Sequence, residues 1–486
     1  MLIKKASKCS LNHILKTSNR YSFTNCLPIK GNSPSDRKVF NAPKRFKLAN
    51  NYHVLKQFYK LALRKILAMI YWKKLSQEER KNRIQTALNE NVNFSKDVSL
   101  GFPVSKLDEQ VFNDDAPFLK DAPTLKAYVS NPNNIGCHTF GASEHAFSGT
   151  QNIEREVLNV IAVAIFKAEP NSFDGYISSG GTEANIQAIW MFRNYFLNNF
   201  QAKSNEIVIL ASEDTHYSVA KASNLLQIDW IKIPVSFEKR KIDTIALEKL
   251  IVGAKEKGKK YFIAISNMGT TMFGSVDDPE DYSEVLEKHN LNYKLHVDGA
   301  YGGFVYPFSN EKSRINFSNP KISSITIDAH KMLQAPYGTG VFICRKGQIE
   351  NVLTKEAEYV EGMDLTLCGS RSGSNAVAVW MILFAYGPFE WYEKISVLQM
   401  RTRFLCNELD KLNIHYFREP FMNIVTIHAE SISKELAIKY DLVPQKHSKG
   451  NKWYKIVVMN HVQVEHLTNF IGELKAPYYV EERITH

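Results

Sequence analysis

The sequence predicts an α/β protein with a mainly parallel sheet, followed by a smaller α+β C-terminal domain. Helical segments alternate with short apolar strands from about residue 105 to 375, and those strands end in polar or glycine-bearing loops. After Tyr386-Gly387-Pro388 the pattern changes. In order, the first region holds a helix over 153–167 and strands over 206–210, 261–265, 294–297 and 322–327. The second holds a helix over 393–412 and shorter strands over 423–428 and 454–459. In open parallel sheets ligands bind at the carboxyl ends of the strands, so the loops after 210, 265, 297 and 327 are the ones to search. A chain of 486 residues is long enough for about two domains plus extensions. The expected divisions are 1–50, 51–104, 105–385 and 386–486, and no internal repeat is evident.

Charge separates the arm from the body. The net charge is +11, yet residues 1–84 hold 20 Lys and Arg against three acids, and residues 85–486 hold 41 against 47. A nucleic-acid or acidic-membrane role, which a basic chain favours, therefore falls on the arm alone. No aromatic–basic module of a nucleic-acid fold is present, so no nucleic-acid partner is expected. Residues 1–50 are basic, Ser-rich and acid-poor, the composition of a disordered segment or of an organelle transit sequence. Leu55, Phe58, Ala62, Ile66, Met69 and Trp72 recur at helical spacing among lysines. That helix is expected to pack on a subunit surface, with membrane attachment as the alternative. No apolar run reaches the roughly 18 residues of a transmembrane span, and the best, 61–72, contains Arg64 and Lys65. The six cysteines are widely spaced without a Cys-x-x-Cys pair, which argues against a disulfide framework or a metal site. A reducing, cytoplasmic location is expected, with organelle import through the basic N-terminus as the alternative.

The chemistry gathers in a few stretches. Asp328-Ala329-His330-Lys331 ends the 322–327 strand and follows His296-Val297-Asp298-Gly299-Ala300 by about thirty residues. A lysine that forms a Schiff base needs a depressed ammonium pKa, which a basic neighbour such as His330 favours. An acid on the adjacent strand, Asp298, would keep a pyridine nitrogen protonated, so the pair fits a pyridoxal 5'-phosphate (PLP) site. In isolation Asp298 reads equally well as the cap of the turn before Gly299. Ala300 would lie against one face of the ring. Ser178-Ser179-Gly180-Gly181-Thr182-Glu183-Ala184-Asn185 leads into a helical run, where glycines, amides and the Thr182 hydroxyl suit a phosphate. Alone it would be a capped glycine turn. His216 follows the 206–210 strand and is either a structural histidine or a flat ring that stacks on the cofactor and assists proton transfer.

Together these stretches resemble the group II pyridoxal-dependent amino-acid decarboxylases over roughly residues 100–400. The resemblance implies fold type I with a seven-stranded-type sheet, a PLP cofactor, a homodimer and an L-amino acid substrate. Carried onto this sequence, Lys331 would be the Schiff-base lysine, Asp298 the pyridine-nitrogen partner and His216 the stacking residue. Gly181, Thr182 and His330 would contact phosphate, and Thr270, in Gly269-Thr270-Thr271, would lie at the turn beside the cofactor. Cys368-Gly369-Ser370-Arg371-Ser372-Gly373 is similar to the segment whose arginine holds the substrate carboxylate, which gives that role to Arg371. Tyr359 would protonate the carbanion. Asn134 and His138, in the stretch 133–139, would contribute to the substrate pocket.

The implied reaction is decarboxylation to an amine and CO2. A carbon–carbon lyase and an aminotransferase share the fold and are the rivals. For the substrate, 215–221 and 369–371 resemble histidine and serine decarboxylases, and 325–331 resembles archaeal tyrosine and aspartate decarboxylases. The stretch 133–139 lacks the His-Pro pattern of animal aromatic decarboxylases, so a histidine- or serine-type substrate is expected over an aromatic one.

Overall fold

The computed structural model describes residues 69–94, 97, 107–108, 110–113, 115–357, 361–446 and 450–475. The basic arm, most of the expected amphipathic helix and Tyr359 lie outside them.

A sheet of seven strands organises the larger part. The strands are β1 (Phe173–Ser178), β2 (Ile207–Ser212), β3 (Asp229–Ile233), β4 (Tyr261–Asn267), β5 (Asn292–Asp298), β6 (Ile322–Asp328) and β7 (Gly340–Arg345), in the order β1-β7-β6-β5-β4-β2-β3. Neighbours from β3 across to β6 run parallel, and β7 runs antiparallel to β6 and β1. The sheet is therefore mainly parallel and seven-stranded, the expected fold class.

Successive side chains of a strand point to opposite faces, and here both faces are apolar. Ile207, Ile209, Ala211, Ile263 and Ile265 feed one core together with Ala184, Ala188 and Phe192 of helix Gly181–Phe200. Val208, Leu210, Phe262, Ala264, Leu295 and Val297 feed the other, which Trp380 and Leu383 of the long helix Gly373–Lys411 help close. Each fully buried Ile or Leu contributes roughly 1.5–3 kcal/mol. The strands run one or two residues past their apolar patterns. Asn267, Asp298 and Asp328 all sit on the final rungs, with Asn267 opposite Asp298 and Asp298 opposite Thr326. The backbone ladder thus continues after hydropathy has turned polar, and it carries those polar side chains to one edge.

Close approaches set helix positions. Helix Ser148–Asn159 begins five residues before its apolar pattern because Gly149 lies on helix Gln77–Glu90, where a Cβ would come within 1.8 Å of the Ala87 carbonyl oxygen. The long helix is broken at Gly387, with φ +63° and Pro388 next. Residues 72–75 brace the break. Trp72 Nε1 donates to the Leu383 carbonyl at 2.7 Å, and the Leu75 amide donates to the Phe384 carbonyl at 2.8 Å.

The C-terminal sheet is antiparallel, in the order β10-β11-β9-β8, from β8 (Tyr416–Phe417), β9 (Ile424–His428), β10 (Val443–Pro444) and β11 (Trp453–Val457). Leu405, Leu409, Val425, Ile427, Ile456 and Phe470 form its core with helix Val464–Lys475. Phe273, from the loop after β4, packs edge-on against Phe417 and Trp453 and ties this layer to the larger sheet. Among the described residues no helix is long and apolar enough to cross a membrane.

Gly387→Ala places a Cβ at positive φ and 2.7 Å from the Lys74 amide nitrogen. It is expected to destabilise the protein by about 1–3 kcal/mol, read as a lowered Tm, without altering cofactor absorbance.

Candidate active site

Lys331 and Asp298 reach the same cavity from the carboxyl ends of β6 and β5. Its volume is about 230 Å³, and His216, Asn267, Thr270, Ala300 and Tyr301 also line it, with Ile424, Lys455 and Val457 from the small sheet. The structure thus gathers Lys331, His216, Thr270, Asp298 and Ala300 at one place, from stretches up to 115 residues apart in the chain. Gly181 borders it: a Cβ there would stand 3.1 Å from Ala300 Cβ and 2.7 Å from Asp328 Oδ2.

Asp298 is buried, and its carboxylate has two acceptor oxygens differently engaged. Oδ1 accepts from the Ala300 amide at 3.1 Å, and Oδ2 accepts from Asn185 Nδ2 at 2.8 Å. A carboxylate only accepts, so the amide of Asn185 must turn its nitrogen toward it. The same nitrogen donates to Ser218 Oγ at 2.9 Å. Asn185 Oδ1 therefore accepts from His296 Nε2 at 3.0 Å, and His296 Nδ1 accepts from Ser324 Oγ at 2.7 Å. Burial holds the fully enclosed His296 at a pKa of about 4, so the ring is neutral at physiological pH.

The orientation of His216 follows from the same logic. The Ser218 amide donates to His216 Nδ1 at 3.2 Å, and Ser218 Oγ lies 2.9 Å from the same nitrogen. An amide N–H has no acceptor role, so Nδ1 is unprotonated and Nε2 carries the proton. Burial lowers the pKa of His216, with Asp298 opposing and Lys331 adding to the shift. The neutral ring that results is one that can lie over a cofactor and offer a proton from Nε2.

At the lysine, Asp328 Oδ2 is 3.2 Å from Lys331 Nζ and 3.6 Å from His330 Nε2. Burial raises the Asp328 carboxyl, and Lys331 and His330 oppose that rise. Asp328 Oδ1 and His330 Nδ1 are buried without partners. Gly180, at φ +148°, leads into the first turn of helix Gly181–Phe200, which holds Thr182. Glu183 fastens that turn by accepting from the Ser179 amide and hydroxyl and from Tyr176. The donor set fits PLP: an amine for its aldehyde, a buried carboxylate for its ring nitrogen, His216 and Ala300 for its faces, and a helix N-terminus beside an unpartnered His330 nitrogen for its phosphate.

Asn134, His138 and Arg371, expected at the substrate, meet elsewhere. None lines the cavity of Lys331. Arg371 is buried, and its guanidinium donates to Glu154 Oε1 and to the carbonyls of Ile177 and Gly136, while its plane lies 5.0 Å from the Tyr176 ring. Glu154 also accepts from Asn134 Nδ2 at 2.9 Å and stands 3.4 Å from His138 Nε2. Burial would raise Glu154, but Arg371 and His138 outweigh it and hold the carboxyl at about 2. The assignment of the substrate carboxylate to Arg371 is thus at odds with this geometry, because its fork already has acceptors. The bridge between Asn133 and Ser372 draws the two stretches together and turns Arg371 inward.

Asn185, Ser218, His296, Asp328 and Lys455 are site residues without a sequence-based role. Asn185 lay inside the glycine motif and Asp328 inside the lysine motif, so both had a signal. Lys455, in a C-terminal strand, had none.

The conserved-domain model of the pyridoxal-dependent decarboxylases matches residues 121–417. A tryptophan decarboxylase of Clostridium sporogenes is 52% identical over 407 residues, spanning 84% of this chain and 98% of that protein. A probable L-tyrosine/L-aspartate decarboxylase of Methanococcus aeolicus is 31% identical over 342 residues, 68% of this chain and 85% of that one. Among solved structures, L-methionine decarboxylase of Streptomyces sp. 590 superposes with a TM-score of 0.59 at 23% identity over 71% of this chain and 86% of its own, a likeness of fold.

The buried His296 gives a pH signature. Its pKa lies below the ordinary 6.5, so the stability it confers is complete above pH 6.5 and is lost as pH falls toward 4. Over that window wild type is expected to lose about 3 kcal/mol more than His296→Gln, measured as denaturation midpoints at each pH.

Proposed function

The chain belongs to the pyridoxal-dependent decarboxylase family, and from that premise we propose that it converts an aromatic L-amino acid, tryptophan first, to the amine and CO2. The observation that carries the substrate class is the 52% identity that extends over 98% of the tryptophan decarboxylase. This replaces the histidine- or serine-type substrate expected from short stretches, since a few residues around Lys221 and Arg371 weigh less than agreement over 407 positions. The cavity supports it. Ile424, Val457 and the ring of Tyr301 supply apolar wall for a large side chain, and the Tyr301 hydroxyl is turned to Asn423 Oδ1 at 3.0 Å.

In this reading Lys331 holds the cofactor's aldehyde carbon, Asp298 its ring nitrogen, and Gly181, Thr182 and His330 its phosphate. Thr270 shapes the wall of the pocket from a turn closed on Ser275, with Thr270 Oγ1 and Ser275 Oγ 2.7 Å apart. When bound, PLP supplies an electron sink for the pair left at Cα as the bond to the carboxyl carbon breaks. Asp298 favours that charge shift by keeping a negative charge at the end of β5, where the ring nitrogen would sit. A proton must then replace CO2 at Cα. His216, with its proton on Nε2, and Tyr359 are the proposed donors. Asn134, His138 and Arg371 act at one remove, by fixing the segment 133–138 against the helix that follows Arg371.

The homodimer implied by the family is proposed as well, supported by the exposed apolar side chains of Phe118, Leu125 and Tyr128 on neighbouring elements.

Purified protein loaded with PLP is expected to show a visible absorption band that Lys331→Ala lacks, and to release tryptamine and CO2 from L-tryptophan. Release from histidine, serine or aspartate in place of aromatic acids, across a panel of L-amino acids, would overturn the substrate reading.

A further inference from the structure

A short hairpin over 236–241, closed by the bridge between Val235 and Ile242, links β3 to helix Thr244–Glu256, and none of its residues lines the cavity of Lys331. It touches the C-terminal sheet on one side. The Phe237 ring lies 5.2 Å from that of Trp453, and Lys241 pairs with Glu419 at 3.0 Å. On the other side Arg240 turns inward and is buried. Its guanidinium forks onto Asp214, with Nε donating to Oδ2 at 2.9 Å and a second N–H donating to Oδ1. The same guanidinium lies 4.0 Å from the Phe273 ring, which packs edge-on against Phe417 and Trp453. Asp214 stands two residues before His216, and Thr215 between them donates its hydroxyl to Asn267 Oδ1 at 2.9 Å. One side chain thus joins the turn that carries His216 to the ring that the C-terminal sheet clamps.

The arrangement is held against two penalties. Arg240 has φ +48°, a conformation that glycine adopts freely and that strains a residue with a side chain. Both partners of the ion pair are buried, and loss of hydration offsets much of the attraction in such a pair. Burial raises the Asp214 carboxyl, and Arg240 opposes that rise. What the pair supplies is direction, because a planar fork fixes both oxygens of a carboxylate where a point charge would let it swivel. We infer that Arg240 is a positioning residue for His216: through Asp214 it fixes the turn that carries the ring, and through Phe273 it refers that turn to the C-terminal sheet. The inference rests on the reading of His216 as the residue that stacks on the cofactor and donates a proton. Ile424 and Val457 of the same sheet wall the cavity, so His216 and that wall share one reference. A misplacement of about 1 Å at a reacting group can lower a rate about a hundredfold, which lets a side chain outside the cavity govern turnover.

The test is a double-mutant cycle between Arg240→Gly and His216→Gln on the holoenzyme, with kcat and KM for L-tryptophan, PLP content and the visible circular dichroism of the cofactor measured on each protein. Glycine removes the fork and relieves the positive φ, so the hairpin keeps its path. Arg240→Gly is expected to lower kcat about tenfold and to reduce the dichroic band, with KM and PLP content near those of wild type. In the His216→Gln background the same substitution should change kcat by no more than about twofold, since the ring it positions is gone. Asp214→Asn, which cuts the link from the other end and leaves the hairpin unaltered, should lower kcat with the same dependence on His216. Losses that multiply in the double variant would overturn the inference and assign Arg240 to the packing of the two sheets. Wild-type kcat in Arg240→Gly, or loss of PLP from it, would overturn it as well, and so would wild-type kcat in His216→Gln. If wild type decarboxylates a different amino acid, only the aromatic reading fails, and the cycle is run with that acid.

Discussion

The hydrogen bond from Asn185 to Asp298 is the interaction on which the site depends. A carboxylate can only accept, so it fixes which way the Asn185 amide points, and that choice propagates in two directions. On one side His296 must protonate Nε2 and take its second bond from Ser324. On the other, Ser218 receives from Asn185 and gives to His216, whose Nε2 is left with the proton. Charge at a single atom thus sets the Asn185 amide and through it the tautomer of His296, while the Ser218 backbone amide fixes that of His216. Buried networks are costly when one member is unpaired, and here each donor from Ser324 through Asn185 to Ser218 has an acceptor.

The fold exists in a form that makes this possible. β4, β5 and β6 run parallel, so their carboxyl ends lie along one edge, and the ladder carries Asn267, Asp298 and Asp328 to the last rungs. Helix Gly181–Phe200 packs across those strands and brings Asn185 down from its second turn. Gly181 admits Asp328 and Ala300 to within contact of the helix start, an approach that a side chain would block. Packing of two apolar cores, one on each face, holds the edge in register.

Much of this was legible in the sequence. Alternation of strands and helices gave the parallel sheet, and Lys331, Asp298 and His216 stand out because each closes an apolar run with a residue of definite chemistry. The apolar runs stop short of the strand ends, since the backbone keeps pairing after the side chains turn polar, as at Asn267 and Asp328. Arg371 shows the limit of a local motif. Its neighbours resemble a carboxylate-binding segment, yet the partner that decides its position, Glu154, is 217 residues away in the chain. Lys455 was invisible for the same reason, because one lysine on an alternating strand carries no signal until β11 is folded against the loop after β4.

The dependence of the chemistry on the Asp298 charge is tested most directly by the decarboxylation rate of Asp298→Asn beside wild type, with PLP content measured on the same samples. The substitution keeps the shape of the side chain and removes the charge. A folded variant that retains bound PLP and loses turnover by about a hundredfold or more is the predicted result. Turnover equal to wild type would contradict it.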